Sequence, residues 1–180
     1  MHRNCELFNN ELDVTDHTKE FFFFLNYMED QVNQGFTVWR TEQRIWCERI
    51  LLAGSVDLQL RCPDSMQTVP GKTCIRLVDY KRSKKILLKS EFGKKGKGEC
   101  SILEDVNGGG HYLLQLNIYR YLLEKYYDVI VNGGMWIVVF HPDNDNYLEY
   151  EVSDYQWLVK RLFEEREAEV SLFRYPVSYK

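Results

Sequence analysis

The segment RLVDYKRSKK, residues 76–85, sets an acid, Asp79, and a cation, Lys81, two positions apart at the end of an apolar run. In an extended chain Val78 and Tyr80 point to one face, and Leu77, Asp79 and Lys81 to the other. Two charges beside Leu77 are costly to bury unless something on that face uses them. A second acid, Asp57, stands in AGSVDLQL, three residues after Gly54, whose missing side chain admits a close backbone or ligand. If the two segments form a hairpin, Asp57 and Asp79 can approach across it. Carboxylates that close repel each other unless one is protonated or a cation lies between them. Oxygen ligands of this kind suit Mg2+ or Mn2+, which keep several waters and bind phosphate oxygens. A lysine beside them can orient a water or stabilise charge developing on phosphorus. The chemistry would be metal-dependent phosphodiester hydrolysis. The residues alone allow equally a surface salt bridge between Asp79 and Lys81, with Asp57 unrelated.

The elements that must hold these residues can be read along the chain. Residues 2–10 suit a short helix, and Asp16 the N-cap of a helix from about His17 to Asn33, ended by Gly35. Within it Phe21 to Leu25, FFFFL, reads as a buried segment. Phe36 to Leu60 is rich in Val, Ile, Trp and Leu with an interruption near Arg49, which predicts two strands. Pro63-Asp64-Ser65 and Pro70-Gly71 lead into a third strand, Cys74 to Lys81. The Gly/Lys-rich residues 93–98 and the glycines 108–110 read as loops. From there to Asp128, Leu114, Ile118, Tyr121, Leu122 and Lys125 recur at helical spacing. MWIVVF, residues 135–140, suits a strand buried on both faces. HPDNDN is a turn, YLEYEV an alternating strand, and Ser153 or Asp154 caps a last amphipathic helix to about Phe173. This order predicts one α/β domain over residues 1–180, its sheet packed against helices.

An apolar content of 44% places the chain among globular rather than disordered sequences. No apolar run approaches the ~18–20 residues that span a bilayer, so no membrane partner is expected. The start, MHRNCELFNN, has no signal-peptide core. Cys5, Cys47, Cys62, Cys74 and Cys100 are scattered and form no CxxC, which suggests buried reduced thiols. Both features point to an intracellular protein, in cytoplasm, nucleus or organelle. The net charge of −4 argues against indiscriminate nucleic-acid binding. Yet from Lys81 to Gly98 eight cations (Lys81, Arg82, Lys84, Lys85, Lys89, Lys94, Lys95, Lys97) face one anion, Glu91. A basic segment on an acidic body suits a steered contact with a polyanion, and a solvated flexible loop suits it as well. KRSKK is also compatible with a nuclear address.

The arrangement D-(x)21-D-x-K after a Gly-containing strand resembles the PD-(D/E)XK nuclease superfamily. Its details resemble the RecB-type branch, which includes the mitochondrial genome-maintenance exonuclease and proteins of large DNA viruses. RTEQRI, AGSVDLQL, VDYKRSK and QLNIYRYLLE carry the likeness, over most of the chain from about Arg40 to Val152. The resemblance implies a restriction-endonuclease-like mixed β-sheet flanked by helices. Gln115 and Tyr119, four residues apart, share one helix face and match the family's QxxxY element. The resemblance gives them a role in holding the active site or the nucleic-acid strand. It makes His2 the family's leading histidine, with Glu6 one turn later, in a domain shortened at its N-terminus because the residues before that histidine are missing. Glu42 falls on a recurrent strand acid, expected one layer behind the metal ligands. His17, His111 and His141 match nothing and read as capping or surface residues, and Glu48 as facing solvent. The cysteines that some relatives use for an iron–sulfur cluster are missing, so no such cluster is expected.

The resulting expectation is a divalent-metal-dependent nuclease acting on nucleic acid, DNA rather than RNA, in exonuclease-like fashion. Asp57, Asp79 and Lys81 form the catalytic set. The metal, Mg2+ or Mn2+, is held by Asp57, Asp79, the Tyr80 carbonyl and His2. Arg82, Lys84 and Lys85 meet the substrate's phosphates, with Gln115 and Tyr119 behind. The alternative is a nucleic-acid-binding module of the same fold with weak or no catalysis, and a third reading is a protein-interaction domain with an acidic surface.

Overall fold

The computed structural model describes residues 2–87, 93–103 and 109–174. In chain order these form α1 (His2–Asn9), α2 (Lys19–Asn33), β1 (Thr37–Cys47), β2 (Leu52–Arg61), β3 (Thr73–Lys81), α3 (Gly109–Tyr126), β4 (Val129–Val139), β5 (Leu148–Glu151) and α4 (Gln156–Arg174). Short 3-10 turns occupy Asp64–Met66 and Gly98–Ile102. The strands lie side by side in the order β1-β2-β3-β4-β5. All neighbours are antiparallel except β3 and β4, which run parallel and are joined by the crossover that contains α3. The chain is therefore α/β, a five-stranded mixed sheet flanked by helices, as its order of elements predicts.

The sheet's two faces bury two separate cores. On one, Phe21, Phe23, Phe24 and Tyr27 of α2 and Cys5 of α1 cover Leu58, Leu60, Val78, Tyr80 and Phe140. On the other, Leu116, Tyr119, Leu122 and Leu123 of α3, backed by Val159 and Phe163 of α4, cover Ile45, Val56, Ile75, Leu77 and Ile137. In β3 the pleat divides as the sequence requires: Val78 and Tyr80 go to the α2 side, and Leu77, with Asp79 and Lys81 in phase, to the α3 side. The FFFFL run is helical, with Phe22 alone of its four phenylalanines exposed.

Several boundaries differ from the sequence-based expectation. The N-cap of α2 is Thr18, whose hydroxyl accepts from Phe21 N at 3.3 Å, so the helix starts at Lys19 rather than His17. Asp16 instead accepts from Thr18 N and from the Asn4 side chain, tying α1 to the start of α2. At the last helix, Asp154 rather than Ser153 accepts from Gln156 N. Gly109 and Gly110, read as loop, are the first residues of α3. A Cβ at Gly109 would lie 2.1 Å from the Leu87 carbonyl oxygen, so glycine is what lets the helix begin against the chain leaving β3. Strand β4 starts at Val129, six residues before MWIVVF, because Gly133 and Gly134 form an irregularity inside it rather than a boundary. Gly134 has φ +84°, which glycine adopts freely.

One buried polar residue joins α3 to α4. Asn117 is fully buried; its Nδ2 donates to the Leu113 and Ser153 carbonyls, and its Oδ1 accepts from Tyr155 N at 2.8 Å. Replacing it leaves Ser153 O and Tyr155 N without these partners inside the protein. Asn117→Ala should therefore cost about 2–4 kcal/mol in urea unfolding, and a loss under 1 kcal/mol would contradict this bonding.

Candidate functional site

Strands β2 and β3 part where their acids meet. The ladder between them runs from Arg61↔Ile75 to Leu58↔Val78 and stops. One more pair in that register would set Asp57 directly opposite Asp79. Instead, Asp57 Oδ2 accepts from Tyr80 N at 2.8 Å, so a side chain takes up the backbone donor that the broken ladder leaves. The alternation of β2 breaks at the same residue. Val56 packs in the α3 core while Leu58, two positions on, packs in the α2 core. Across from it in β1, Glu42 lies between Thr41 and Gln43, the partners of Leu58 and Val56, and has a left-handed backbone with φ +45°. A non-glycine residue in that region costs on the order of 1–3 kcal/mol, and such strain gathers at functional sites.

These departures bring ligand atoms together. One atom each from His2, Glu42 and Asp57 lies within 4.8 Å of the others. His2 Nδ1 is 3.5 Å from Asp57 Oδ2, and the His2 ring meets the Tyr80 ring edge to face. Glu42 Oε2 accepts from Ser55 Oγ at 3.1 Å, which fixes its carboxylate over β2. Asp79 is 2% exposed and its Oδ2 touches the Lys81 ammonium directly. Apart from that ion contact, this oxygen has no hydrogen-bond partner among the described residues. Glu42 is thus beside Asp57 and His2 rather than a layer behind them. Glu6 is not among the grouped ligands.

Burial pushes the Asp57 carboxyl up to about 7, and the neighbouring Asp79 charge adds to it; the Tyr80 N–H and Lys81 oppose the shift. Burial likewise raises Asp79, against the attraction of Lys81. Burial lowers the pKa of His2, favouring a neutral imidazole with a lone pair to give. Two acids held above their ordinary range beside a neutral histidine are a donor set short of positive charge. A hard divalent cation such as Mg2+ or Mn2+ fits it, and the imidazole tilts the set towards Mn2+.

Helix α3 closes the opposite side. Gln115 Nε2 donates to Tyr119 Oη at 2.8 Å, so the QxxxY pair is bonded within itself. The Tyr119 ring lies across β2 at Gly54, where an added Cβ would come within 2.6 Å of Cε1. The close approach that Gly54 permits is therefore that of Tyr119. One turn earlier the Lys81 ammonium sits 4.5 Å from the centroid of the Tyr112 ring, an aromatic wall that the motif reading missed. The segment after Lys81 is more anchored than its charge suggests. Arg82 pairs with the buried Glu20 at 3.0 Å, and Lys84 lies 3.4 Å from Asp143. Lys85, Lys95 and Lys97 are exposed, while Lys89 and Glu91 lie outside the described residues. His17 and His111 are exposed, and His141 Nδ1 accepts from Asp143 N in the turn after β4. All five cysteines are free thiols.

The position of Glu42 was available from the sequence. A hairpin centred on Arg49 and Ile50 sets Glu42 and Asp57 equally far from its turn, hence opposite each other. Tyr112 left no such signal, because its contact depends on how α3 packs across the sheet.

No family model matches the chain, and no curated protein matches it. Among solved structures, the crystal structure of SSO0001 is similar to this chain at 16% identity and a TM-score of 0.35. The match covers 84% of this chain and 58% of that one, so the chain spans less than two thirds of that protein's length. At that level the likeness carries no argument.

Two outcomes test the geometry. A carboxyl raised from 3.8 to about 7 binds its proton more tightly in the folded state. Its stabilisation is therefore full below the ordinary value and is lost as pH rises through about 7. Without divalent cations the Tm should fall across that range. Asp57→Asn should flatten the fall and raise the Tm above it by about 2–10 °C, and a pH-independent Tm would refute the strained pair. Gly54→Ala should cost about 1–3 kcal/mol by crowding Tyr119. Tyr119→Leu in the same chain should recover part of that loss in a double-mutant cycle, and strict additivity would show that the ring does not lie there.

Proposed function

We propose that this protein is a divalent-metal-dependent nuclease that hydrolyses phosphodiester bonds of nucleic acid, DNA in preference to RNA, in exonuclease-like fashion. The observation that carries the reading is the parting of β2 and β3 at two acids, Asp79 buried and Asp57 half-buried, with Lys81 held against Asp79. A structural salt bridge would need neither the second, half-buried carboxylate nor the histidine and glutamate gathered beside it. Asp57, Asp79 and the Tyr80 carbonyl, with His2 and Glu42, would hold Mg2+ or Mn2+. The cation would supply positive charge to the phosphate and to the attacking water.

Each side chain then has a task. Asp57, braced by the Tyr80 N–H, keeps its carboxylate in the gap between the strands. Asp79 orients Lys81, and the Tyr112 ring walls in the ammonium from the other side. An ammonium so confined can steer the attacking water or meet charge that develops on the phosphate oxygens. Gln115 and Tyr119 act from behind, holding β2 in place through the contact at Gly54. Lys84, Lys85 and the lysines of residues 93–98 would meet the substrate's backbone, whereas Arg82 contributes less because Glu20 holds it.

End-labelled single- and double-stranded DNA and RNA, incubated with Mn2+, Mg2+ or EDTA, test this directly. Wild type should cut only with the metals, and Asp79→Ala and Lys81→Ala should each lower the rate by roughly 100-fold or more, the scale of losing a charge-stabilising group. Removal of nucleotides from the ends would support exonuclease action. Retardation of DNA without cleavage by any substrate would instead favour the binding module. Affinity should also fall steeply with salt, as counterions are released from the bound strand.

A further inference from the structure

A cavity opens at the first turn of α3, on the helix face adjoining the one that carries Tyr112, Gln115 and Tyr119. Its volume is about 430 Å³, with Lys95, Lys97, Cys100 and Leu103 lining it from the segment before the helix and His111 and Leu114 from α3 itself. Leu103 is buried, whereas Lys95 and Lys97 are exposed. The chamber is thus apolar inside and cationic outside.

Its walls are built rather than slack. Gly96 N donates to Leu103 O at 2.8 Å and Cys100 N to Lys97 O at 3.0 Å. Glu99 is tied to Arg161 of α4 at 2.8 Å. A Cβ at Gly96 would fall 2.2 Å from the Cys100 carbonyl oxygen, so the glycine is what lets the segment fold back on itself. Along α3 the cavity is one residue from the proposed site, because His111 on its wall precedes Tyr112, whose ring faces Lys81.

We propose that this cavity receives one nucleobase of a single nucleic-acid strand, its phosphate meeting Lys95 and Lys97, close along the strand to the phosphate at Lys81. The inference rests on the nuclease reading above. The volume falls within the range of small-molecule sites, on the order of 300–1,000 Å³. A flat base suits an apolar chamber, and a backbone anion suits its lysine rim. A strand crossing the first turn of α3 would reach both faces in succession.

Fluorescence anisotropy with short labelled oligothymidylates, in Ca2+ to prevent turnover, tests the assignment when one abasic residue is stepped along the strand. Wild type should lose roughly 5- to 100-fold in affinity at one position, the effect of one removed base contact. The penalty should vanish in Leu114→Trp, which fills the cavity. Lys95→Gln with Lys97→Gln, both surface positions, should weaken every oligonucleotide while Mn2+ binding stays unchanged. In wild type itself, the oligonucleotide should slow alkylation of Cys100, the one cysteine that is not buried. Free thymidine monophosphate should protect it far less if the strand, rather than a loose nucleotide, is the ligand; equal protection would overturn the strand assignment. A flat abasic profile, an unchanged penalty in Leu114→Trp, or unprotected Cys100 would also overturn it. Absence of metal-dependent cleavage is a separate outcome: it would sink the nuclease reading while the abasic profile still decides whether the cavity holds a base.

Discussion

Asp57 and Asp79 stand at the point where two strands would otherwise pair, and neither can be ionised there without cost. Both are largely desolvated, each is close to the other, and the nearby cation, Lys81, is committed to Asp79. Two like charges so placed disfavour each other's ionisation, and the backbone donor left where the ladder stops is satisfied by Asp57 itself. The left-handed turn of Glu42 and the change of face in β2 occur at the same level of the sheet. The surrounding structure is thus strained around a local excess of negative charge, which a divalent cation would relieve.

The fold explains why such a site can persist. Each face of the sheet has its own aliphatic and aromatic core, built by α1 and α2 on one side and by α3 and α4 on the other. These cores fix the strands independently of the acids, so the broken pairing stays local. Helix α1 brings His2 to the gap, α3 brings Tyr112 and the Gln115–Tyr119 pair, and β1 brings Glu42. Three elements distant in sequence therefore converge on the one short gap between β2 and β3, which is where buried charge is most easily tuned.

The element order, the antiparallel β2–β3 pairing and the face assignment of β3 were legible in the sequence because hydrophobic alternation and turn residues encode them locally. The D-x-K spacing likewise fixed Asp79 and Lys81 on one face. Other features arise from packing between elements and leave no local trace. Gly109 looks like a loop residue until Leu87 is seen against it, and Gly54 looks like a ligand gap until Tyr119 fills it. Arg82 reads as a free phosphate contact because nothing in RLVDYKRSKK reveals that Glu20, more than sixty residues earlier, holds it. Thr18 displaced Asp16 as the cap because both have suitable side chains, and only the entry angle of the chain decides between them.

The most direct test is crystallographic. Crystals grown with Mn2+ and measured at the manganese absorption edge should give an anomalous peak in the gap, bonded to the carboxylates of Asp57 and Asp79, with His2 or Glu42 completing the set. Asp57→Asn should weaken or remove that peak. If the wild-type gap shows no anomalous density at saturating Mn2+, and the two acids share a proton instead, the strained pair is not a metal site and the proposed chemistry fails with it.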